Sequence, residues 1–424
     1  MTQPAKRSSP SGLLIADLVK PGDTLMWGMG QCEPVALLGR LNGEIDDLPS
    51  PCGAVLGLTL TETLDAKRFS EKVAVRAFGG AGTNRRFQDL GNLDALPMNY
   101  SAVPGAIRSG TLRIDVALTT LAPDGNVYNL GPIADYIADA VATARVVVAE
   151  INDALPVTYG DTAVEPGRIT RSIEVSHPPI EMRVPPPGDV EREIGRLIAR
   201  LVPDGATLEV GLGVIPDAAL AALADKRNLG IHSGTIGDGV VSLVEAGAAT
   251  NALKPIDTGL SVSAGVLGTM RAYRWAHRNE HLRIRTPAYT HNAAILASLP
   301  NFIGINTALE VDLTGQMNAE TAGGRSIGMI GGHADFMRGC QLSSGGIGIV
   351  ALPSTAKGGR ISRIVERLGD GIVTTGRSDA DVVVTEHGIA ELKGRSVRER
   401  ARALIAIAHP DFRRDLEAAA ETLI

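Results

Sequence analysis

The stretches LVKPGDTLMWGMG (18–30) and LVPDGATLEVGLG (201–213) read as one pattern used twice. Leu18, Val19, Gly22, Thr24, Leu25, Gly28 and Gly30 recur as Leu201, Val202, Gly205, Thr207, Leu208, Gly211 and Gly213, all at an offset of 183. Pro34 and Pro216 follow, each opening a predicted helix where the missing N–H costs nothing. Further landmarks keep their order: DGNVYN (124–129) with TGQMNA (314–319), and VVVAE (146–150) with VVVTE (382–386). A single Gly-rich turn matches easily by chance; ordered matches along the whole chain do not. The sequence is therefore read as two homologous halves, 1–185 and 186–424. They divide near the Pro-rich segment SHPPIEMRVPPPGD (176–189), which resembles a linker.

Between the landmarks, β-branched runs alternate with helix-like stretches. The runs include KVAVRAF (72–78), RVVVAEI (145–151), GIGIVAL (346–352) and DVVVTE (381–386). Helices are predicted over Pro34–Leu41, Val190–Leu201, Pro216–Ala224 and Ser396–Ala408. Apolar runs bounded by Gly and joined by helices predict parallel strands covered on both faces. The fold class is α/β, as two duplicated open α/β domains.

Composition narrows the function. At about 150 residues per domain, 424 residues make two or three domains. The balance of 41 basic and 47 acidic residues gives a formal −6 and no nucleic-acid-binding footprint. Six Phe, two Trp and six Tyr leave the core to Ala, Val, Leu and Ile. Cys32, Cys52 and Cys340 are odd in number and lack metal-ligand spacing, so a reducing compartment is expected. The N-terminus has no sustained apolar region and no 18-residue apolar run occurs, so the expectation is a cytoplasmic protein without a membrane segment. No histidine pair with a third acidic ligand stands at metal spacing, and no metal is expected.

Three features carry chemistry. The turns WGMGQCEP (27–34) and VGLGVIPD (210–217) place glycines between a strand and a helix start, where backbone N–H groups bind negative charge. Neither completes a dinucleotide fingerprint, and each reads equally as a tight strand-to-helix turn. GMIGGHADFMRGCQLSSGGIG (328–348) packs seven glycines around His333, Asp335 and Arg338. It leads into IVALPSTAKGGRISRIV (349–365) with Lys357, Arg360 and Arg363, a pattern suited to a phosphate-bearing ligand, although no P-loop string occurs. Glu150 and Glu386 end apolar runs, where ligand crevices of open sheets lie. Each reads as an acid or base, or as a structural carboxylate holding loop N–H groups.

Together these motifs resemble the acetyl-CoA hydrolase/transferase family, which includes 4-hydroxybutyrate CoA-transferases and has the class I CoA-transferase fold. The likeness runs from about residue 18 to 415. It is strongest in GLGVIPDAAL (211–220), IHSGTIGDGVVSLVEAG (231–247), INTALEVDLTGQMNAE (305–320), GGHADFMRG (331–339), LPSTAKGGRISRIV (352–365) and VVVTEHGIAELKG (382–394). The resemblance implies a site between two similar domains and coenzyme A as cosubstrate, with no permanently bound cofactor. It implies CoA binding mostly in the C-terminal half, around Gly331, Gly332, Asp335, Arg338 and Lys357. It implies oxyanion-holding amides near Gly30–Gln31 and Gly331–Gly332, and a glutamate that forms a covalent glutamyl-CoA. A homodimer is expected, since cleft enzymes of this size commonly form symmetric pairs.

The sequence departs from this pattern where the chemistry is concentrated. Relatives read roughly HSE-x-x-x-DG, whereas this chain reads His232-Ser233-Gly234-Thr235-Ile236-Gly237-Asp238-Gly239. Gly234 thus holds the nucleophile's place without a side chain. His333 replaces a usual Gln, His387 a usual Tyr and His291 a usual Asn. Lost carboxylate and gained imidazoles point to water-dependent cleavage of a CoA thioester, or of a carbon–carbon bond in a 3-oxoacyl-CoA. His333 is the expected base, with His291, His387 and Glu386 as helpers, and the space at Gly234 is expected to admit water or substrate. The alternatives are CoA transfer through another carboxylate such as Glu386, and a non-catalytic CoA-binding relative.

Overall fold

The computed structural model describes residues 12–369 and 371–423. Residues 1–11, on which part of the N-terminal reading rests, lie outside the described residues. Two compact units divide the chain. The first runs to Met182 and takes in Ala264–Tyr289 and Arg325–Met329; the second comprises Arg183–Ser263, Thr290–Gly324 and the chain from Ile330 onward.

The first unit is built on β1 (Thr24–Trp27), β2 (Cys52–Leu56), β3 (Val73–Ala77), β4 (Leu93–Ala95), β5 (Val116–Asp124), β6 (Val146–Asn152) and β7 (Arg171–Val175). They lie parallel in the order β4-β3-β2-β1-β5-β6-β7. Successive residues of a strand point to opposite faces, and here both faces are buried. Leu25, Trp27, Val146 and Val148 pack with Leu37 and Leu41 of helix α1 (Val35–Gly43). Met26, Val147 and Ala149 pack on the other side with Tyr136 and Ile137, at the start of helix α2 (Ile137–Thr143). That is why these strands read as unbroken apolar runs.

The second unit repeats the plan with β8 (Thr207–Val210), β9 (Gly230–Ile236), β10 (Phe302–Thr307), β11 (Ile347–Ala351), β12 (Val382–Thr385) and β13 (Gly388–Glu391). The order is β9-β8-β10-β11-β12-β13, parallel except for the β12–β13 hairpin. Helix α3 (Val214–Ala222) follows β8, and helix α4 (His333–Leu342) crosses from β10 to β11. The duplication extends to register. Thr24 pairs with Gly53 as Thr207 pairs with Gly230, and Trp27 with Leu118 as Val210 with Ile305. The first glycine of each turn then donates to the neighbouring strand, Gly28 to the Leu118 carbonyl at 3.1 Å and Gly211 to that of Ile305 at 3.0 Å.

Two expectations are corrected. VVVAE and VVVTE are not equivalent: β6 borders β5, whereas β12 lies one strand further out, beside β11. Both runs are buried on two faces, and such strands look alike in sequence whatever their place in the sheet. The Pro-rich segment is not a slack tether either. The Ile180 amide donates to the Gln31 carbonyl, the Tyr273 hydroxyl to the Ile180 carbonyl and the Met182 amide to the Gly268 carbonyl, all within the first unit. Pro34 immediately precedes α1 and Pro216 is the third residue of α3, so both fall where no intrahelical N–H is needed. Among the described residues no helix is long and apolar enough to cross a membrane.

In each unit the chain leaves the sheet's centre in one direction and returns on the other side, at β1/β5 and at β8/β10. Ligand crevices of open α/β sheets lie at the carboxyl ends of such strand pairs. The glycine turns sit there under tight constraint. A Cβ on Gly28 would lie 2.6 Å from the Cys32 carbonyl oxygen, a backbone atom with no easy retreat. Gly28→Ala is expected to cost about 1–3 kcal/mol, read as a lowered melting temperature. Gly43→Ala, where a Cβ meets nothing within 4 Å, should show no such loss.

Candidate active site

Gly234 lies on β9 with its face toward α4. A Cβ there would stand 3.3 Å from His291 Nε2 and 3.3 Å from Phe336 Cε2. At Gly332, just before α4, a Cβ would come within 2.5 Å of the same Nε2 and 2.7 Å of the same Phe336 carbon. The His291 and Phe336 rings pack with centroids 4.4 Å apart. The imidazole therefore packs against both glycines, while Gly234 itself is only half-buried.

A hydrogen-bonded chain holds this ring. His291 Nδ1 lies 2.8 Å from the Thr290 hydroxyl, and His232 Nε2–H donates to the Thr290 carbonyl at 3.0 Å. Both histidines are buried. Burial, reinforced by His232, lowers the His291 pKa to about 3; burial, reinforced by Lys254, lowers that of His232 to about 4.

His333 opens α4 and is 7% exposed. Its Nδ1 lies 2.7 Å from the Thr375 hydroxyl, while Nε2 is buried and has no hydrogen-bond partner among the described residues. Burial lowers its pKa to about 4. Burial thus moves both rings away from the ordinary histidine range. Desolvation keeps His291 and His333 uncharged well below pH 6, as acceptors or neutral donors.

The other expected residues are dispersed. Gly331, with φ +54, and Gly332 form the half-buried entry to α4, and Asp335 lies half-buried in its first turn. Arg338 is exposed and paired with Asp379 at 2.9 Å. Lys357 is exposed in the hairpin between Thr355–Ala356 and Ile361–Ser362. Both oxygens of Glu386 are occupied, by the Ser354 amide at 2.9 Å and the Ser354 hydroxyl at 2.5 Å. His387 is exposed, 3.7 Å from Glu386 and packed edge-on against His409. In the first unit the Gly30 amide already donates to the Leu58 carbonyl at 2.8 Å, so it is not available to an oxyanion. Gln31 is buried, and its Nε2 lacks a partner among the described residues. Glu150 accepts from the Leu37 amide at 2.7 Å and so caps α1. Burial raises its pKa, opposed by that amide and by His177.

The sequence reading passed over Thr375 and Ser354, whose partners lie far away in the chain, and over Thr290, which joins its neighbour His291 to the distant His232. Two features read separately in the sequence, the 210–217 turn and Arg363, meet in a crevice of about 290 Å³ at the ends of β8, β10 and β11, lined also by Thr307–Leu309 and Glu191. An arginine and a helix N-terminus at one crevice suit an anionic ligand. Among the described residues no group of three His, Cys, Asp or Glu side chains could hold a metal ion.

Comparison with known proteins places this geometry. Residues 268–420 match the acetyl-CoA hydrolase/transferase C-terminal domain. A 4-hydroxybutyrate coenzyme A transferase of Clostridium kluyveri is 42% identical over 338 residues, 79% of each chain. The chain belongs to the acetyl-CoA hydrolase/transferase family. A succinyl-CoA:cyclohexane-1-carboxylate CoA transferase of Geobacter metallireducens is 35% identical over 96% of this chain and 94% of its own. The crystal structure of RipA from Yersinia pestis superimposes with a TM-score of 0.92 at 32% identity, covering 98% of this chain and 97% of that one. Membership makes this an acyl-CoA hydrolase- or transferase-like enzyme.

The neutral state of His333 has a measurable consequence. Its folded pKa of about 4 lies below the ordinary 6.5, so its contribution is complete above pH 6.5 and is lost as pH falls toward 4. His333→Gln lacks this sensitivity. The stability difference between the two proteins should shift in the variant's favour by up to roughly 3 kcal/mol between pH 6.5 and 4, as read by denaturant unfolding.

Proposed function

We propose that this enzyme cleaves an acyl-CoA with water instead of passing CoA to an acceptor acid through a covalent glutamyl-CoA. One observation carries the reading. The place that the family pattern gives to a nucleophilic glutamate is Gly234, which has no side chain and lies against the His291 ring, 3.3 Å from where a Cβ would stand. The runner-up nucleophile, Glu386, is tied through both oxygens to Ser354.

In the proposed reaction His333 takes a proton from water through Nε2, and the oxygen attacks the acyl carbonyl. The carbon–sulfur bond breaks, giving the acid and CoA thiol. For a 3-oxoacyl-CoA, the same attack at the 3-carbonyl would break the adjacent carbon–carbon bond and leave a shortened acyl-CoA after protonation. Amides at Gly331 and Gly332 would hold the developing oxyanion, a contribution of about 3–4 kcal/mol in comparable sites. The crevice bearing Arg363 and the start of α3 would hold an anionic part of CoA.

His333→Ala is expected to lower turnover by about 10²–10⁴-fold with CoA affinity nearly unchanged, read by thiol release and calorimetry. In labelled water the released acid should carry the label, and borohydride treatment during turnover should yield no reduced glutamate. A reduced glutamate anywhere in the chain would establish covalent CoA transfer instead. Absence of thiol release from every acyl-CoA tried, with CoA still bound, would favour a non-catalytic relative.

A further inference from the structure

We propose that Glu209 is the proton donor of this site, a carboxylic acid on the strand beside Gly234 that delivers its proton to the departing thiolate. The inference rests on the reading of acyl-CoA cleavage given above.

The duplication singles the residue out. At an offset of 183, Glu209 stands where β1 has Met26, a fully buried apolar residue. A carboxyl group in the middle of a central, two-face-buried strand is costly unless it has a use. Its placement supplies one. β8 pairs with β9 through Thr207–Gly230 and Leu208–Ile231, a register that sets Glu209 beside His232, two residues before Gly234 on the same face. On its other side Glu209 is level with Gly304 of β10, and its Oε2 accepts from Asn306 Nδ2 at 2.6 Å. Asn306 is half-buried at the carboxyl end of β10, and the same Oε2 also lies over Gly304, 3.3 Å from where a Cβ would stand. The group thus lies one strand away from the glutamate position that this chain lacks.

The environment keeps the proton in place. Glu209 is 3% exposed, and burial pushes its pKa up to about 8 against the lowering effect of Asn306. The facing titratable groups are Cys340 from α4, whose thiol is held well above its usual range, and His232 from β9, lowered to about 4. Neither titrates near 8. Lys254, lowered to about 8 by burial, donates to the Ile231 and Leu260 carbonyls further down the same face.

The step balances. His333 gains the proton that water loses, and the oxygen bonds to the acyl carbon. The carbon–sulfur bond breaks, and the sulfur takes the Glu209 proton. Transfer from His333 back to Glu209 restores the starting state.

Thiol release from acetyl-, butyryl- and 3-oxobutyryl-CoA, measured from pH 6 to 9.5, tests this. The wild type should lose rate above about pH 8. Glu209→Gln should be at least about 100-fold slower, with that alkaline limb abolished and the melting temperature retained. Asn306→Ala removes the group that lowers the Glu209 pKa, and should move the limb to higher pH. A Glu209→Gln enzyme with wild-type rate and limb would overturn the assignment, as would an unmoved limb in Asn306→Ala. If wild type cleaves none of the three, the cleavage reading fails separately. Infrared spectroscopy then judges Glu209 alone: a protonated carboxyl band at pH 7 that Glu209→Gln removes supports the acid, and its absence refutes it.

Discussion

A buried imidazole needs room and needs its nitrogens answered, and both demands converge on His291. The room comes from Gly234 and Gly332, at which even one methyl group would press on its Nε2. The anchoring comes from Thr290, whose hydroxyl meets Nδ1 while its carbonyl accepts from His232. An isolated buried charge is expensive, so the ring stays neutral. The absence of a side chain at 234 and the presence of a ring at 291 are thus linked by packing. A side chain at 234 would press on the imidazole and require it to shift.

The fold makes this exchange consequential. Each unit turns at the centre of its sheet, and the second unit's turn gathers β8, β9 and β10 at a single rim beside the start of α4. Gly234, Glu209, Asn306 and Gly332 belong to four different segments, yet strand register and a crossover helix fix them all on one face. The duplicated first unit keeps the same register and fills the position of Glu209 with Met26, against Tyr136 and Ile137. One half uses the position for packing; the other places an acid there.

Much of this was legible in the chain itself. The repeated turn located β1 and β8, whereas the matching pairs Thr24–Gly53 and Thr207–Gly230 appear only in the structure, because no sequence pattern states a register. Strands buried on two faces announce themselves by composition, which is also why VVVAE and VVVTE read alike despite their different places in the sheets. The site was less legible. His291, His333 and Gly234 stand out by residue type, but Thr375 meets His333 across 42 residues and Thr290 meets His232 across 58. A glycine in a string reads as empty space; only coordinates show that a ring lies against it. Charge states were likewise hidden, because a histidine's ordinary pKa says nothing about how much water it has lost.

The central claim is that positions 234 and 291 compete for one volume, and a pair of variants tests it directly. Gly234→Glu alone should melt well below wild type and yield no borohydride-trapped glutamate. Gly234→Glu combined with His291→Asn should recover the melting temperature and give a trapped glutamate at 234 after incubation with acyl-CoA. A single Gly234→Glu variant that is as stable as wild type would contradict the account.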